Sequence, residues 1–444
     1  MGRPTHVRYR VLAWACSLSM LTYIDRVCIK NVRSDISRDL GLSDAQFAWV
    51  FGAFGLSYAL FEVPSGWLGD WFGPRAVLTR IVLWWSVFTA LTGLVFPLGG
   101  EFQVGYITVS AGFLLLVLVR FLFGVGEAGS YPNMGRALRN WFPYADRGQA
   151  QGLLWSCGRW GGAVAPGLVT IAAMPFGWRG AFVTFGIVGA LWAIAFGYFF
   201  RNQPAEHSAV NAAEAELIQQ GNRDGESPPP ASWRAMLLSP NLWFLCLMYL
   251  CSNAGWCFFI TWDVEYYKQT LHLTGQSLNI ASGAPLFFGG FGCILGGFVT
   301  DRLVRVLGRR WGRAAQGMAA YGVGAAFFVI ALLTKEPLIA VPSLCVASFL
   351  KDFSLAVNWA TCIDMGHRYS GTVGGWINGV GNLGTFLGPL IVEYLANDGR
   401  WELALAFSAT MFAIASVCWL FINPMRVIVY APADKKRLEQ EGVL

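Results

Sequence analysis

The sequence predicts an all-α membrane protein whose twelve transmembrane helices form two pseudo-symmetric halves of six helices each. Of its 444 residues, 55% are hydrophobic and 13% are charged, which is about half the charged share of a soluble domain. Twelve apolar runs are long enough to cross a bilayer, since each crossing takes roughly 20 residues. One long polar stretch separates the first six runs from the last six, so we expect a chain duplicated about its middle.

The twelve runs follow one another with short polar connections. They cover residues 9–32, 46–69, 75–96, 106–129, 149–171, 179–200, 240–262, 278–300, 314–333, 337–361, 371–395 and 401–423. The polar stretch between the sixth and seventh runs contains Ser-Pro-Pro-Pro and predicts a flexible linker. We therefore expect an N-terminal six-helix bundle over 1–200, a cytoplasmic linker over 201–236, a C-terminal six-helix bundle over 237–424 and a cytoplasmic tail over 425–444.

Lysine and arginine are distributed unevenly between the two sets of connections. Most of them fall on the side that holds both termini, and the opposite loops hold few. Because positively charged loops stay in the cytoplasm, we expect both termini inside and a multi-pass protein of the inner (plasma) membrane. The net charge of +6 is explained by this topology, so we expect the lipid bilayer and no nucleic acid as a partner. We expect a monomer.

The cysteine and histidine positions favour neither a metal site nor a disulfide framework. The ten cysteines form no Cys-x-x-Cys pair and lie mostly within apolar runs, where they are expected to pack as small hydrophobic residues. None of the four histidines lies in the middle of an apolar run. No nucleophile–base pair stands out either, so we expect no cofactor and no enzyme activity.

A short motif occurs at the same place in each half. Gly66-Trp-Leu-Gly-Asp70-Trp-Phe-Gly73-Pro-Arg75 follows the second run, and Gly297-Phe-Val-Thr-Asp301-Arg302 follows the eighth. Such duplication is typical of transporters built from internal repeats. Charges at these helix ends can stabilise one conformational state of a transporter. We therefore expect gating roles for Asp70, Arg75, Asp301 and Arg302. The pattern G-x-x-x-D-x-x-G-x-R resembles the signature of the major facilitator superfamily.

Ionisable residues inside the apolar runs are costly, so each needs a partner or a function. The first run contains Asp25 and Arg26, and the fourth contains Arg120 and Glu127, two helical turns apart on one face. A guanidinium grips a carboxylate through two hydrogen bonds, and a carboxyl group in an apolar cavity can bind a proton. We therefore expect Arg26, Arg120 and Glu127 to be functional, as parts of an anion–proton symporter. The other charges of this kind are Glu62, Arg159, Lys351, Asp352, Asp364 and Glu393.

Several segments in order resemble the anion:cation symporter family. They are Y-x-D-R in the first run, FGAFGLSYALFEVPSGWLGD in the second, R-x6-E in the fourth, NLWFLCLMYLCSNAGWCFFITW in the seventh and GGWINGVGNLGTFLGP in the eleventh. That family includes bacterial galactonate, glucarate and hexuronate transporters and the vesicular glutamate and sialic-acid carriers. The resemblance implies proton-coupled symport of a small organic anion, such as a sugar acid or another carboxylate, by alternating access.

The resemblance also implies individual roles. Arg26 would bind the substrate carboxylate, while Asp25 and Glu127 would carry the coupled protons. Arg120 would hold Glu127 or Asp25 between protonation events. The further positions expected to contact the substrate or line its cavity are Tyr58, Trp359 and Asn378.

The residues leave some alternatives open. Arg159 is either a second anion contact or the partner of a carboxylate, and the adjacent Lys351 and Asp352 are expected to be paired structural charges. Asp263 and Glu265 replace uncharged residues of many relatives, and they either alter the outer gate or start the loop early. For the whole chain, the alternatives are a proton-independent exchanger of organic anions or sugar phosphates, and a membrane sensor that binds a ligand without transporting it.

Overall fold

The computed structural model describes residues 3–97, 100–104, 107–143, 146–219, 236–366 and 370–426. These residues are mostly helical. The helices are α1 (Val7–Asn31), α2 (Arg33–Leu40), α3 (Asp44–Gly93), α4 (Ala111–Glu127), α5 (Ser130–Trp141), α6 (Arg147–Ala173), α7 (Gly177–Phe199), α8 (Ala212–Gln219), α9 (Pro240–Thr261), α10 (Asp263–Gln269), α11 (Gly275–Leu332), α12 (Pro337–Phe353), α13 (Leu355–Gly366), α14 (Ser370–Ala396) and α15 (Trp401–Phe421). One antiparallel hairpin pairs β1 (Glu101–Val104) with β2 (Ile107–Ser110).

Two of the helices are too long to be single passes, and each contains a glycine with positive φ. Gly73 in α3 has φ 76°, and Gly308 in α11 has φ 75°. Residues with a Cβ rarely adopt this conformation, so each glycine lets the chain turn back between two passes. The first turn lies within the motif that the sequence repeats, and the second follows its counterpart in the other half. With both helices divided there, the order of long helices is consistent with twelve passes.

The predicted all-α membrane fold is confirmed. By length and composition alone, nine helices within the described residues could cross a membrane. The three expected passes not among them are 44–70, α6 and α14. These three carry Glu62, Arg159 and Asn378 at the interface between the halves.

The two halves meet along pairs of long helices. Helix α6 packs against the first pass of α11, and the first pass of α3 packs against α14. Glycines permit close packing within the C-terminal half as well: a Cβ on Gly292 or Gly296 would lie 2.4 or 2.1 Å from a carbonyl oxygen of α12. These close approaches agree with the packing role of small residues in membrane helices.

Two equivalent passes are interrupted near their middle. In the N-terminal half, α4 ends at Glu127 and α5 begins at Ser130, with Gly129 at φ 83° between them. In the C-terminal half, α12 ends at Phe353 and α13 begins at Leu355. The interruptions lie directly beside Glu127 and beside Lys351 and Asp352. Discontinuous helices in corresponding positions of two halves are a pointer to the binding site of a transporter.

The first part of the segment between the halves is ordered against the N-terminus. Glu214 of α8 is fully buried and accepts hydrogen bonds from Thr5 Oγ1 at 2.7 Å and from the backbone nitrogens of Val7 and Arg8 at 3.0 and 3.1 Å. Its carboxylate therefore satisfies free N–H groups at the start of α1. The remainder of this segment, 220–235, lies outside the described residues.

Candidate functional site

Arg26 of α1 and Glu127 at the end of α4 form a buried ion pair in the N-terminal half. Arg26 Nε donates to Glu127 Oε1 at 2.5 Å. The side chain of Glu127 is 0% exposed and that of Arg26 is 13% exposed. Within the described residues, the buried atoms Arg26 Nη2 and Glu127 Oε2 have no hydrogen-bond partner. The pair therefore leaves a guanidinium donor and a carboxylate acceptor free for a ligand.

Three aromatic rings surround the Arg26 guanidinium. Its Cζ lies 4.6 Å from the ring centroid of Tyr58, 5.2 Å from that of Phe54 and 5.4 Å from that of Tyr23. Such rings stabilise a cation while leaving its N–H edge available for hydrogen bonds. The structure thus places the predicted residue Tyr58, which is buried, directly against Arg26.

Asp25 and Arg120 are buried near this pair, at 3% and 2% exposure. The Arg120 Cζ lies 4.3 Å from the Phe123 ring and 5.5 Å from the Phe54 ring. Arg120 and Glu127 lie two helical turns apart on α4. Of the two arginines, it is Arg26 that makes the ion pair with Glu127 in this conformation.

Asn378 contacts the N-terminal half through Glu62. Its Nδ2 donates to Glu62 Oε1, and Asn382 Nδ2 donates to Glu62 Oε2 at 3.2 Å. Glu62 is 2% exposed and lies on the first pass of α3, while both asparagines lie on α14. Two amides on the C-terminal half therefore hold one carboxylate of the N-terminal half.

Arg159 is paired with a carboxylate of the opposite half. Its Nε and Nη2 donate to the two oxygens of Asp352 at 2.6 and 2.8 Å, and its Nη1 donates to the hydroxyl of Tyr23. Lys351 Nζ donates to Asp352 at 3.4 Å and lies 4.3 Å from the ring centroid of Trp256. The expected Lys351–Asp352 pair is thus part of a buried triad that includes Arg159.

Trp359 lies on α13, one of the interrupted C-terminal segments. Its ring centroid is 6.5 Å from that of Trp155 on α6, so the two rings meet across the interface between the halves. The buried Trp359 Nε1 has no hydrogen-bond partner in the described part of the chain. This placement brings the predicted residue to the interface with a free donor.

A second set of ion pairs joins the halves at the end of the molecule away from the two termini, which we call the distal end. Lys30 Nζ donates to both oxygens of Asp263 at 2.8 and 3.0 Å, and both side chains are 0% exposed. Arg33 pairs with Glu265 at 2.7 Å. Asp263 and Glu265 therefore connect α10 to the N-terminal half. The helix α9 ends just before them, at Thr261, so the membrane-spanning helix also stops early at this point.

The predicted gating residues are placed only in part. Arg75 Nε and Nη2 donate to the Gly197 carbonyl at 2.9 and 2.6 Å, and the Arg75 backbone nitrogen donates to Asn202 Oδ1 at 2.9 Å. Arg302 is exposed. The side chains of Asp70 and Asp301 lie outside the described residues.

Some interface residues were not predicted to form the site. Glu62 and Asp352 were recognisable as charges in apolar runs, but their partners on the opposite half were not. Lys30 and Trp256 carried no signal, because a lysine near a helix end and a tryptophan in an apolar run are both common in membrane proteins.

Comparisons with known proteins agree with this architecture. Residues 15–389 match the Major Facilitator Superfamily. A probable sulfoacetate transporter of Cupriavidus necator is 31% identical over 98% of both chains. A probable galactarate/D-glucarate transporter of Bacillus subtilis is 28% identical, over 96% of this chain and 94% of its own.

A solved structure shares the fold. A bacterial homologue of the human lysosomal transporter Spinster, in an inward-facing and unoccupied conformation, matches 97% of this chain and 100% of its own with a TM-score of 0.71 at 18% identity. The family expected from the sequence motifs is confirmed. The chain therefore belongs to the major facilitator superfamily and is a membrane transporter, not an enzyme.

Proposed function

We propose that the protein is a proton-coupled symporter of a small organic anion. The observation that carries the proposal is the buried Arg26–Glu127 ion pair, which lies at the interruption of a membrane-spanning helix. Relatives named for sulfoacetate and for galactarate or glucarate support an organic anion as the substrate. The proposed location is the inner membrane with both termini cytoplasmic, and the proposed working unit is a monomer.

The substrate carboxylate binds Arg26 in competition with Glu127. On the Nε–Nη2 edge of the Arg26 guanidinium, Nε is bound to Glu127 and Nη2 is a free donor. A carboxylate that takes both positions displaces Glu127 and forms the two-point contact that guanidinium favours. Tyr58 lies against the same guanidinium, so its hydroxyl is a candidate contact for the polar part of the substrate.

Displacement leaves Glu127 buried without its counter-ion. An isolated carboxylate in such surroundings costs several kcal/mol or more, so binding a proton is the favourable outcome. Asp25, which is buried and directly precedes Arg26 on α1, is the second carboxyl group proposed to carry a proton. Anion binding and proton binding are thereby linked through one arginine. Arg120, buried two turns before Glu127 on α4, supplies a neighbouring positive charge that attracts Glu127 back.

Transport then requires the interface between the halves to open alternately. In this conformation, the pairs Lys30–Asp263 and Arg33–Glu265 join the halves at the distal end. We propose that their breakage opens the distal side, while Asn378, Trp359 and Arg159 close around the substrate from the interface. Rocking of one half on the other about a central site is the motion typical of this architecture.

The test separates binding from proton coupling through Glu127→Gln, which resembles the permanently protonated side chain. The purified variant is reconstituted into vesicles and assayed with labelled galactarate and labelled sulfoacetate. We expect exchange of labelled for unlabelled anion to persist, since that half-cycle needs no deprotonation. Accumulation driven by an imposed proton gradient should be lost.

The matched control is Glu402→Gln, the same substitution at a partly exposed glutamate that pairs with Lys335. It should accumulate anion like the parent protein. If Glu127→Gln also accumulates anion like the parent, Glu127 is a structural partner of Arg26 and the proposed coupling through it is wrong. If the parent exchanges anion but a proton gradient drives no accumulation, the chain is an exchanger.

A further inference from the structure

We propose that Lys351 and Trp256 form a second anion-binding subsite, so that the transported anion carries two negatively charged groups. One group binds Arg26 in the N-terminal half and the other binds Lys351 in the C-terminal half. This inference rests on the proposed function, because it names the class of substrate that the same central site accepts.

The first argument is a local excess of buried positive charge, with two cations sharing one carboxylate. Arg159 and Lys351 are 1% and 3% exposed, and the carboxylate that pairs with both is Asp352. Asp352 receives two short hydrogen bonds from Arg159, at 2.6 and 2.8 Å, and a longer one of 3.4 Å from Lys351. One carboxylate balances one of the two cations. A buried cation without its own counter-ion is costly, and a bound anion removes that cost.

The second argument is the set of donors left free around Lys351. Its ammonium group has three N–H donors, and within the described residues Asp352 is its hydrogen-bond acceptor. The indole Nε1 of Trp256, which is 5% exposed, and the hydroxyl of Ser348 are both buried and lack a partner among the described residues. Ser348 lies less than one turn before Lys351 on α12. Several unsatisfied polar groups in one buried place indicate that something else binds there.

The third argument is the position of Lys351 relative to Arg26. The Tyr23 ring lies between Arg26 and Arg159, at 5.4 and 4.8 Å from their Cζ atoms. The Trp256 ring is 6.4 Å from that of Tyr23 and 4.3 Å from Lys351 Nζ. A continuous aromatic surface thus connects the two cations. Lys351 lies beside the interruption that follows α12, and Arg26 pairs with Glu127 at the equivalent interruption, which follows α4.

Two pairs of probes isolate the second charge. Galactarate and L-galactonate share a carbon skeleton and differ in whether one end is a carboxylate or a hydroxymethyl group. Sulfoacetate and 2-hydroxyethanesulfonate differ in the same way. Binding of each is measured by calorimetry on the purified full chain. In at least one pair, we expect the dianion to bind about tenfold more tightly than its monoanionic partner.

The variant Lys351→Gln should remove this preference. It should weaken binding of the dianion about tenfold and leave binding of the monoanion unchanged, whereas a purely structural role would affect both equally. Folding should survive, because Asp352 keeps its two bonds from Arg159. Lys351→Arg retains the positive charge and should therefore retain the preference for dianions. Lys335→Gln, at a lysine whose side chain is 75% exposed, is the matched control and should retain it.

The outcomes separate this inference from the function on which it rests. Equal affinity for both members of both pairs, or a preference that survives in Lys351→Gln, overturns the second subsite and leaves organic-anion transport in place. If Lys351→Gln fails to fold, a parent protein with no preference for dianions still overturns the inference. If none of the four probes binds, both proposals are wrong.

Discussion

The buried pair of Lys30 and Asp263 should control the equilibrium between the two facing states. Asp263→Asn keeps the size of the side chain but removes the negative charge that compensates Lys30. The Lys30 Nζ would still donate a hydrogen bond to the Phe259 carbonyl oxygen, which lies at 2.6 Å. Removing one partner of a fully buried pair costs about 3–5 kcal/mol. Because the Phe259 carbonyl remains, we take the lower value, about 3 kcal/mol, which is roughly a hundredfold in an equilibrium constant. Opening of the distal side hydrates Lys30 and relieves this cost, so the variant should favour the open state.

The measurement is the distance between spin labels at Arg38 and Gln276, two exposed positions on opposite halves of the distal end. We expect Asp263→Asn to shift the distance distribution towards longer values. The control is Asp39→Asn, since Asp39 is 44% exposed and pairs with Arg179 of its own half. A distance distribution in Asp263→Asn that matches the parent protein would show that this pair does not hold the distal end closed.

Three further substitutions test separate parts of the account. Arg26→Lys keeps the positive charge but loses the pair of hydrogen bonds that a guanidinium donates to one carboxylate. Calorimetry should therefore show anion affinity at least tenfold weaker, about 1.4 kcal/mol. Unchanged affinity would show that Arg26 does not bind the anion. Gly129→Ala places a Cβ on a residue with φ 83° where the helix is interrupted. Thermal unfolding should therefore show that the free energy of unfolding falls by about 1 kcal/mol or more. An unchanged melting temperature would contradict the requirement for glycine at this position. Hydrogen bonds from Arg179 and Trp178 hold the pKa of Asp39 below its ordinary value. The stabilisation that ionised Asp39 provides is therefore present at neutral pH and is lost as the pH falls through that lowered pKa. Asp39→Asn should have a lower melting temperature than the parent protein at pH 7, and the two melting temperatures should converge in acid.

Local patterns in the sequence were sufficient to predict the architecture. The apolar runs and the repeated glycine-containing motifs predicted the helix order, because the bilayer requires long helices and each turn back requires a special conformation. Gly73 was part of the predicted motif, and Gly308 follows its counterpart. The two interruptions were not predicted, since Gly129 and Ser354 resemble many other small residues in the chain.

The partners across the site depended on the tertiary structure. The sequence indicated that Arg26, Glu127 and Arg159 needed partners, but it could not pair Arg159 with Asp352, 193 positions away. It likewise could not link Lys30 to Asp263. Spacing along one helix places residues on a shared face, whereas contacts between helices of different halves depend on how those halves pack.

Coupling of anion and proton movement is the central claim, and proton entry into vesicles tests it most directly. Vesicles containing the parent protein and a pH-sensitive dye are held without a pH gradient, and galactarate or sulfoacetate is added outside. We expect acidification of the interior that requires the anion and is absent for Glu127→Gln. Anion uptake with no change in internal pH would contradict the account, since the anion would then cross without protons.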